Sequence, residues 1–265
     1  MKTLEIETDL MVTGTRSVLD HHEDRMIQRS PGEPDFWFGN RTIFREAPED
    51  IQTAIATAQA DFPDQKFSII SWDVPDLDPS PYKPALEAAG YEIEQGITLA
   101  GQQAIRPGLP EGIRFAEIER DEDWDAVITL QTESLIAEGR QPDAVTSFTR
   151  DRFATRREDS KAGRGAWFGL FDGALLVADM GLVWSERLVR FQSVETRKSH
   201  RRRGLCAARL GEVSAIAAGR FPGAQQVIVA DSGSAAARLY ERAGFVCEER
   251  VLSAIKQPKT DTNPA

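Results

Sequence analysis

The strongest constraint on the fold is a repeat, because three short patterns occur in the same order in both halves of the chain. In each half a helix-like segment stops at Phe-Pro, an apolar segment ends at an aspartate, and a short helical segment closes with glycine and an aromatic residue. These patterns lie at 62–63, 67–73 and 86–91 in the first half, and at 221–222, 227–231 and 240–245 in the second. The order and the similar spacing predict a tandem repeat of one structural unit.

Length and composition limit the class of protein. The 265 residues are enough for one large domain or two small ones, and 41% hydrophobic with 28% charged residues is typical of globular proteins. No apolar run approaches the roughly 18 residues of a membrane helix. The acidic start, residues 1–7, lacks the basic and then apolar order of a secretion signal. We therefore expect a cytoplasmic protein without a membrane partner.

The number of cysteines, the spacing of the histidines and the net charge exclude further classes of protein. Cys206 and Cys247 are the only cysteines, and the three histidines form no cluster with zinc-ligand spacing. The formal net charge of −10 argues against nucleic acid, since phosphates demand a basic face. We expect no structural metal and no nucleic-acid partner.

The segment 100–112 has two prolines, three glycines and no hydrophobic period, which is typical of a linker. It predicts a first half covering 1–105, a second half covering 106–258, and a disordered tail at 259–265.

The second half carries the fuller set of elements. An Asp-Gly pair at 172–173 between two apolar runs is a strong hairpin signal. The order, with antiparallel hairpins first and a β-α-β-α-β ending, predicts an α/β or α+β fold in which helices flank a mixed sheet. The predicted strands are 112–119, 166–171, 174–183, 188–196, 225–231 and 245–255, and the predicted helices are 121–138, 142–158, 206–218 and 234–243.

A basic island at 197–209 interrupts the acidic chain. By charge alone it is as consistent with a solvated helix end as with a ligand site. Gly204 lies inside it, at a predicted helix start, where free N–H groups and the helix dipole favour phosphate. Glycine lets the backbone approach a ligand closely, and arginines add forked donors. The pattern favours a phosphate site, with a simple turn carrying basic caps as the alternative.

Two segments resemble the GCN5-related N-acetyltransferase (GNAT) superfamily. Residues 193–196 followed by 200–206 are similar to its acetyl-CoA signature, which is Arg or Gln, two residues, Gly, one residue, then Gly or Ala, between a strand and a long helix. Residues 236–245 are similar to its later helix, A-x-x-L-Y-x-x-x-G-F. The resemblance covers 113–252 and reaches the first half only in outline. It implies a mixed, mostly antiparallel central sheet flanked by helices, in two tandem copies.

The resemblance implies an N-acetyltransferase that moves an acetyl group from acetyl-CoA to an amine of a small-molecule or peptide acceptor, by direct attack in a ternary complex. Tyr240 would protonate the leaving thiolate, and the alternative is a core aromatic. Glu195 would act as general base, although a solvent-facing strand residue is an equal alternative and Asp179, Glu133 and Glu138 are rivals. The implied coenzyme residues are Val194, Glu195 and Thr196 for the pantetheine arm, and Arg201, Arg202, Arg203, Gly204, Leu205, Cys206 and Ala207 for the pyrophosphate.

Two positions depart from the family pattern. Cys206 replaces a Gly or Ala, and it lies at the pyrophosphate, so we expect no covalent relay through its thiol. Gly233 stands where the family often has Asn, and Ser232 or Ser234 is expected to substitute as a helix cap or donor.

The first half lacks both implied features. Pro48, Glu49 and Asp50 take the place of the arginine-glycine turn, and the two acids stabilise a helix start but repel a pyrophosphate. Leu86 takes the tyrosine position. The half therefore resembles a degenerate GNAT copy, in which 36–40 serves buried packing or, alternatively, an acceptor pocket. A non-catalytic acyl-CoA sensor or scaffold is the rival function, and the protein is expected to be a monomer or homodimer.

Overall fold

A computed structural model describes residues 1–34 and 36–257, apart from the side chains of Thr15 and Ala144. The predicted tail at 259–265 lies outside the described residues. The α-helices are α1 (Leu4–Thr13), α2 (Ile51–Asp61), α3 (Lys83–Ala88), α4 (Asp121–Ala137), α5 (Pro142–Lys161), α6 (Leu205–Arg220) and α7 (Ala235–Arg242). The strands are β1 (Val18–His21), β2 (Arg25–Arg29), β3 (Arg41–Phe44), β4 (Ser68–Trp72), β5 (Glu92–Gly101), β6 (Ile113–Glu117), β7 (Gly165–Asp172), β8 (Leu175–Trp184), β9 (Leu188–Thr196), β10 (Gln225–Asp231) and β11 (Val246–Lys256).

The chain forms two compact units, and neither is continuous in sequence. The first unit contains Met1–Thr98, Ala230–Ala237 and the described residues from Cys247 onward, and the second contains Leu99–Val229 and Arg238–Val246. The sequence analysis predicted that 1–105 and 106–258 are two copies of one structural unit. The compact units have other bounds, so this division stays a prediction.

In the first unit the strands lie in the order β1-β2-β3-β4-β11-β5. β3 and β4 are parallel, whereas β1 with β2, β2 with β3, and β4 with β11 are antiparallel. β11 therefore lies inside this sheet, and its Leu252 belongs to the core formed around Trp72, Phe44 and Tyr91. The last described strand completes the first unit.

In the second unit the strands lie in the order β10-β9-β8-β7-β6. Only β9 and β10 pair in parallel here, from Leu188 opposite Gln225 to Arg190 opposite Val227. One core joins α4 and α5 to the sheet around Trp167, and another joins α6 to it through Leu205. This mixed, mostly antiparallel sheet flanked by helices confirms the predicted fold class.

The helix ends of the repeat have matching conformations in the two halves. Phe62 follows α2 with φ −135° and ψ 65°, and Phe221 follows α6 with φ −131° and ψ 69°. The glycines after α3 and α7, Gly90 and Gly244, have positive φ values of 82° and 100°. This left-handed turn lets the next aromatic residue donate its N–H back to the carbonyl five residues earlier.

The predicted linker is part of the second unit and is packed inside it. The N–H of Ala104 donates to Ser214 Oγ at 2.7 Å, and the N–H of Ile105 donates to the Ala243 carbonyl at 2.8 Å. A Cβ on Gly211 of α6 would lie 2.7 Å from the Ile105 carbonyl oxygen. The segment is thus held in one place by α6 and by the end of α7.

None of the helices that the structure describes combines the length and apolar character needed to cross a membrane.

Candidate functional site

The turn between β9 and α6 presents a row of backbone N–H groups. Arg202 and Gly204 have positive φ values of 65° and 76°, and Gly204 is the N-terminal cap of α6 without a capping side chain. The first helical hydrogen bond runs from the N–H of Ala208 to the Gly204 carbonyl at 3.0 Å. The N–H groups of residues 202–207 come before it and have no hydrogen-bond partner among the described residues. We call residues 202–207 the amide row.

Arginines flank the amide row, and part of their charge is engaged. Arg201 folds back onto β9, where Nε donates to the Thr196 carbonyl at 2.9 Å and Nη2 lies 3.1 Å from Glu195 Oε1. Arg203 Nη1 lies 3.6 Å from Asp172 Oδ2 at the β7–β8 hairpin. These contacts hold the turn in place, and the half-exposed guanidinium groups stay close to the helix start.

The backbone groups predicted to hold the pantetheine arm already have partners. The N–H of Thr196 donates to Glu195 Oε1 at 2.7 Å, and the Thr196 carbonyl accepts from Arg201. The Glu195 carbonyl accepts from Arg209 Nη1 at 2.6 Å. A pantetheine group that accepts from the Thr196 N–H must therefore displace the Glu195 carboxylate, whereas each of the two carbonyls can accept a second hydrogen bond.

A bulge interrupts β9 just before this segment. The register with β8 shifts between Asp179 and Gly181, and Ser193 has a positive φ of 49°. Gln131 of α4 secures the bulge, because its Nε2 donates to the Ser193 carbonyl at 3.3 Å and to Asp179 Oδ2 at 3.0 Å.

Asp179 is a buried carboxylate behind the bulge. It has 0% exposure and accepts from Trp167 Nε1 at 2.7 Å as well as from Gln131. Burial raises the pKa of Asp179 to about 7, although the positive charge of Arg209 and the two donors act to lower it. This carboxyl group therefore changes its charge near neutral pH.

Tyr240 lies on α7 with 4% exposure. Burial raises the pKa of its hydroxyl above the ordinary value and Cys206 adds to this, while Arg209 and Arg190 oppose it. The phenol therefore keeps its proton at neutral pH, in a dry environment with cationic neighbours.

The structure brings Cys206 within electrostatic reach of Tyr240 and Glu195, whereas the resemblance implied Cys206 at the pyrophosphate and Tyr240 at the thioester. Burial raises the pKa of the Cys206 thiol, so it stays neutral. Two further residues of this region, Arg209 and Gln131, were not predicted from the sequence. Arg209 was counted only as charge in the basic island, although it lies three residues after Cys206 and hence on the same face of a helix.

The rival acids Glu133 and Glu138 lie near the end of α4, on a cleft that Arg201 also lines. The cleft of 480 Å³ lies between the end of α4 and the turn after β9. Glu133 forms an ion pair with Arg197 there.

The remaining predicted residues have local roles. Ser234 Oγ accepts from the N–H of Ala237 at 3.0 Å, so Ser234 caps α7 as expected. In the first unit, Asp50 accepts from the N–H groups of Gln52 and Thr53, both at 3.1 Å, which satisfies the helix start that a phosphate would use. Leu86 is fully buried, and within 36–40 Trp37 and Phe38 pack against a core cluster.

Comparison with known proteins finds solved structures only, since no family model and no curated protein matches. The chain is similar to a conserved protein of unknown function from Staphylococcus epidermidis, with a TM-score of 0.77, 10% identity, and coverage of 94% of this chain and 97% of that one. It is similar to a GCN5-related N-acetyltransferase from Kribbella flavida, with a TM-score of 0.62, 18% identity, and coverage of 97% and 95%. A tandem GNAT protein from the clavulanic acid biosynthesis pathway gives a TM-score of 0.58, 13% identity, and coverage of 97% and 88%.

At these identities the likeness shows the fold. The chain has the fold of the GCN5-related N-acetyltransferases, and the likeness to a tandem GNAT protein extends over nearly all of it. The predicted resemblance to tandem GNAT proteins is confirmed at this level.

Proposed function

We propose that the chain transfers an acyl group from acyl-CoA to an amine, and that acetyl-CoA is the donor, as the resemblance implies. The amide row is the observation that carries this proposal. Six consecutive N–H groups without partners among the described residues, at the positive end of a 16-residue helix, favour a phosphate group. The arginines on both sides add positive charge.

The coenzyme supplies an acyl group activated as a thioester. A neutral amine is the nucleophile, and a carboxylate has to take up the proton that it loses. Glu195 is the proposed acceptor, because its side chain lies at the end of β9 and is 17% exposed. Asp179 is the alternative, with a pKa of about 7 but no exposure.

Tyr240 is the proposed hydrogen donor to the leaving sulfur. It is buried beside Glu195 and Cys206, on the helix whose sequence is similar to the tyrosine motif. In this reading the first unit binds no acyl-CoA, and the acceptor is a small molecule or a peptide carrying an amine. The cytoplasmic location stays a prediction.

A non-catalytic sensor of acyl-CoA is the second candidate. The observation that favours it is the engagement of the proposed base, since the carboxylate of Glu195 already accepts from the Thr196 N–H and from Arg201. A sensor only has to bind, whereas an enzyme has to bind in one reactive position.

Thermal unfolding with and without acetyl-CoA tests binding. A ligand at a hundredfold excess over its Kd stabilises the folded state by about 2.7 kcal/mol. If saturating acetyl-CoA leaves the melting temperature unchanged, both candidate functions are wrong.

Release of free CoA in the presence of a panel of amines separates the enzyme from the sensor. Tyr240→Phe should reduce the rate by about 10²–10⁴-fold while acetyl-CoA still stabilises the protein. Tyr82→Phe is the matched control, since Tyr82 packs against a core cluster of the first unit. Stabilisation without CoA release for any amine supports the sensor.

A further inference from the structure

Arg209 is buried on α6 with part of its guanidinium unsatisfied. Its exposure is 0%, and Nη1 donates to the Glu195 carbonyl at 2.6 Å. Nε and Nη2 are also buried and have no hydrogen-bond partner among the described residues. Burying a cation costs free energy unless its donors are paired, so an unpaired edge in a core indicates a partner that arrives with a ligand.

Nε and Nη2 lie on one edge of the guanidinium group, and other arginines of this chain bind carboxylates through the same edge. In Arg25, Nε and Nη2 both lie 2.9 Å from the carboxylate oxygens of Asp61. In Arg120, the same two atoms lie 2.9 and 2.8 Å from the carboxylate of Asp123. The edge of Arg209 therefore has the geometry to hold an anionic group with two hydrogen bonds.

The carboxylates near Arg209 already accept hydrogen bonds from other donors. Glu195 bonds to Arg201 and to the Thr196 N–H, and Asp179 bonds to Trp167 and Gln131. The side chain of the neighbouring Cys206 also hydrogen-bonds to Arg209, but a thiol is only a weak acceptor and leaves the charge of the guanidinium uncompensated. The charged and titratable groups that act on this region are Arg190 and Glu195 on β9, Asp179 on β8, Cys206 and Arg209 on α6, and Tyr240 on α7.

A leaving thiolate needs more than Tyr240. An ordinary thiol has a pKa of about 8.5, whereas burial raises the pKa of the Tyr240 hydroxyl above the usual value for a phenol. Full proton transfer from this phenol to a thiolate is therefore uphill. A cation beside the sulfur removes the need for that transfer at the moment when the bond breaks.

We propose that Arg209 is a further catalytic residue, and that its Nε–Nη2 edge holds the sulfur of coenzyme A as a thiolate when the acyl group leaves. This inference rests on the proposed function. The nitrogen lone pair of the amine forms the C–N bond, the C–S bond breaks, and its electron pair stays on sulfur. Glu195 takes the proton from the amine and Tyr240 donates a hydrogen bond to the thiolate. After coenzyme A leaves, the thiolate takes a proton from water and Glu195 returns its proton to water. Arg209 keeps its own protons.

Binding of coenzyme A without its acyl group provides the test. The probes are coenzyme A and desulfo-coenzyme A, in which hydrogen replaces the thiol. The protein carries Cys206→Ala and Cys247→Ser, so that the ligand has the only thiol and its ultraviolet thiolate absorbance can be titrated. At a pH above the solution pKa of the thiol, where free coenzyme A is already a thiolate, we expect coenzyme A to bind at least about tenfold more tightly than desulfo-coenzyme A, which corresponds to a thiol pKa lowered by about one unit on binding.

Two variants of Arg209 sharpen the result. Arg209→Met keeps the length of the side chain without charge and should bring the affinity ratio close to one. Arg209→Lys should retain part of the preference, because one ammonium group replaces the two-donor edge. Affinity for desulfo-coenzyme A should change little in either variant.

The outcomes separate the two proposals. If desulfo-coenzyme A binds and the thiol of bound coenzyme A titrates as it does in solution, the role of Arg209 is wrong and the proposed function stands. An equal thiolate preference in Arg209→Met leads to the same conclusion. If neither probe binds, the proposed function fails as well. The titration of bound coenzyme A is made on the protein that keeps Arg209. The test therefore does not depend on whether the Arg209 variants fold.

Discussion

Trp167 donates a 2.7 Å hydrogen bond from its indole Nε1 to the carboxylate of Asp179, and both side chains are buried. Gln131 bonds to the same carboxylate and to the carbonyl of Ser193. A titratable group thus supports the bulge that precedes the proposed reactive strand. Charge on Asp179 and the shape of β9 are linked through one glutamine.

Stability should fall with pH because of Asp179. Its folded pKa of about 7 exceeds the ordinary aspartate value of 3.8, so the folded state binds more protons than the unfolded state between those values. The penalty for the buried charge grows through that window and is complete above it. Asp179→Asn should become more stable relative to the parent as pH rises, by on the order of 4 kcal/mol across the window.

Urea unfolding at a series of pH values measures this difference. Asp125→Asn on the exposed side of α4 is the control and should follow the parent at each pH. Parallel curves for Asp179→Asn and the parent would show that Asp179 does not titrate in this window.

Gly204→Ala should weaken coenzyme binding at the amide row. A backbone with positive φ costs alanine about 1–2 kcal/mol. The added Cβ would also stand in the turn where the coenzyme is proposed to approach the backbone. Gly163→Ala is the matched control, since Gly163 also has positive φ (70° against 76°) and an added Cβ would meet no neighbour within 4 Å at either glycine. Both variants should lose similar stability, and only Gly204→Ala should lose the thermal shift with acetyl-CoA. Equal shifts in both would place the coenzyme elsewhere.

Gly211→Ala should destabilise the second unit. An added Cβ would lie 2.7 Å from the Ile105 carbonyl oxygen and 2.8 Å from Arg106 Cα, which are both backbone atoms. We expect a loss of about 1–3 kcal/mol in unfolding free energy. Gly219→Ala on the same helix meets nothing within 4 Å and should gain about 0.4–1 kcal/mol. Denaturant midpoints of the two variants should move in opposite directions.

Ser193→Val should reduce both stability and turnover, because a β-branched residue strongly disfavours positive φ. Ser193→Gly removes the strain and should match or exceed the parent in stability. Chemical unfolding and CoA release, measured on both variants, test the role of the bulge. Equal turnover in Val and Gly variants would show that the bulge does not set the reactive geometry.

Local signals explain why many elements were predictable. α4 begins at Asp121 as predicted, because three acids in its first turn favour a helix N-terminus. The hairpin turns at Gly173, as the Asp-Gly pair indicated. Gly244 has the positive φ that a glycine directly after a helix commonly adopts. Each of these features depends on residues close together in sequence.

Features that depend on distant residues were not predictable. Nothing within residues 246–256 indicates that β11 pairs with β4, because strand pairing is decided by the whole sheet. Arg209 looked like one more surface cation, and only the packed structure shows its burial. The bonds that engage Glu195 and Thr196 also arise from side chains brought in by the turn and by α6.

The position of β11 has a consequence for synthesis on the ribosome. Residues 1–98 emerge first, yet their sheet lacks the strand between β4 and β5 until residues 246–256 have been made. Until then the edges of β4 and β5 are open to pairing with other chains, while β6 to β10 of the second unit are already available to fold. Most of the first unit is therefore made before the second unit but completes its sheet after it, and its exposed edges are where nascent chains need protection from aggregation.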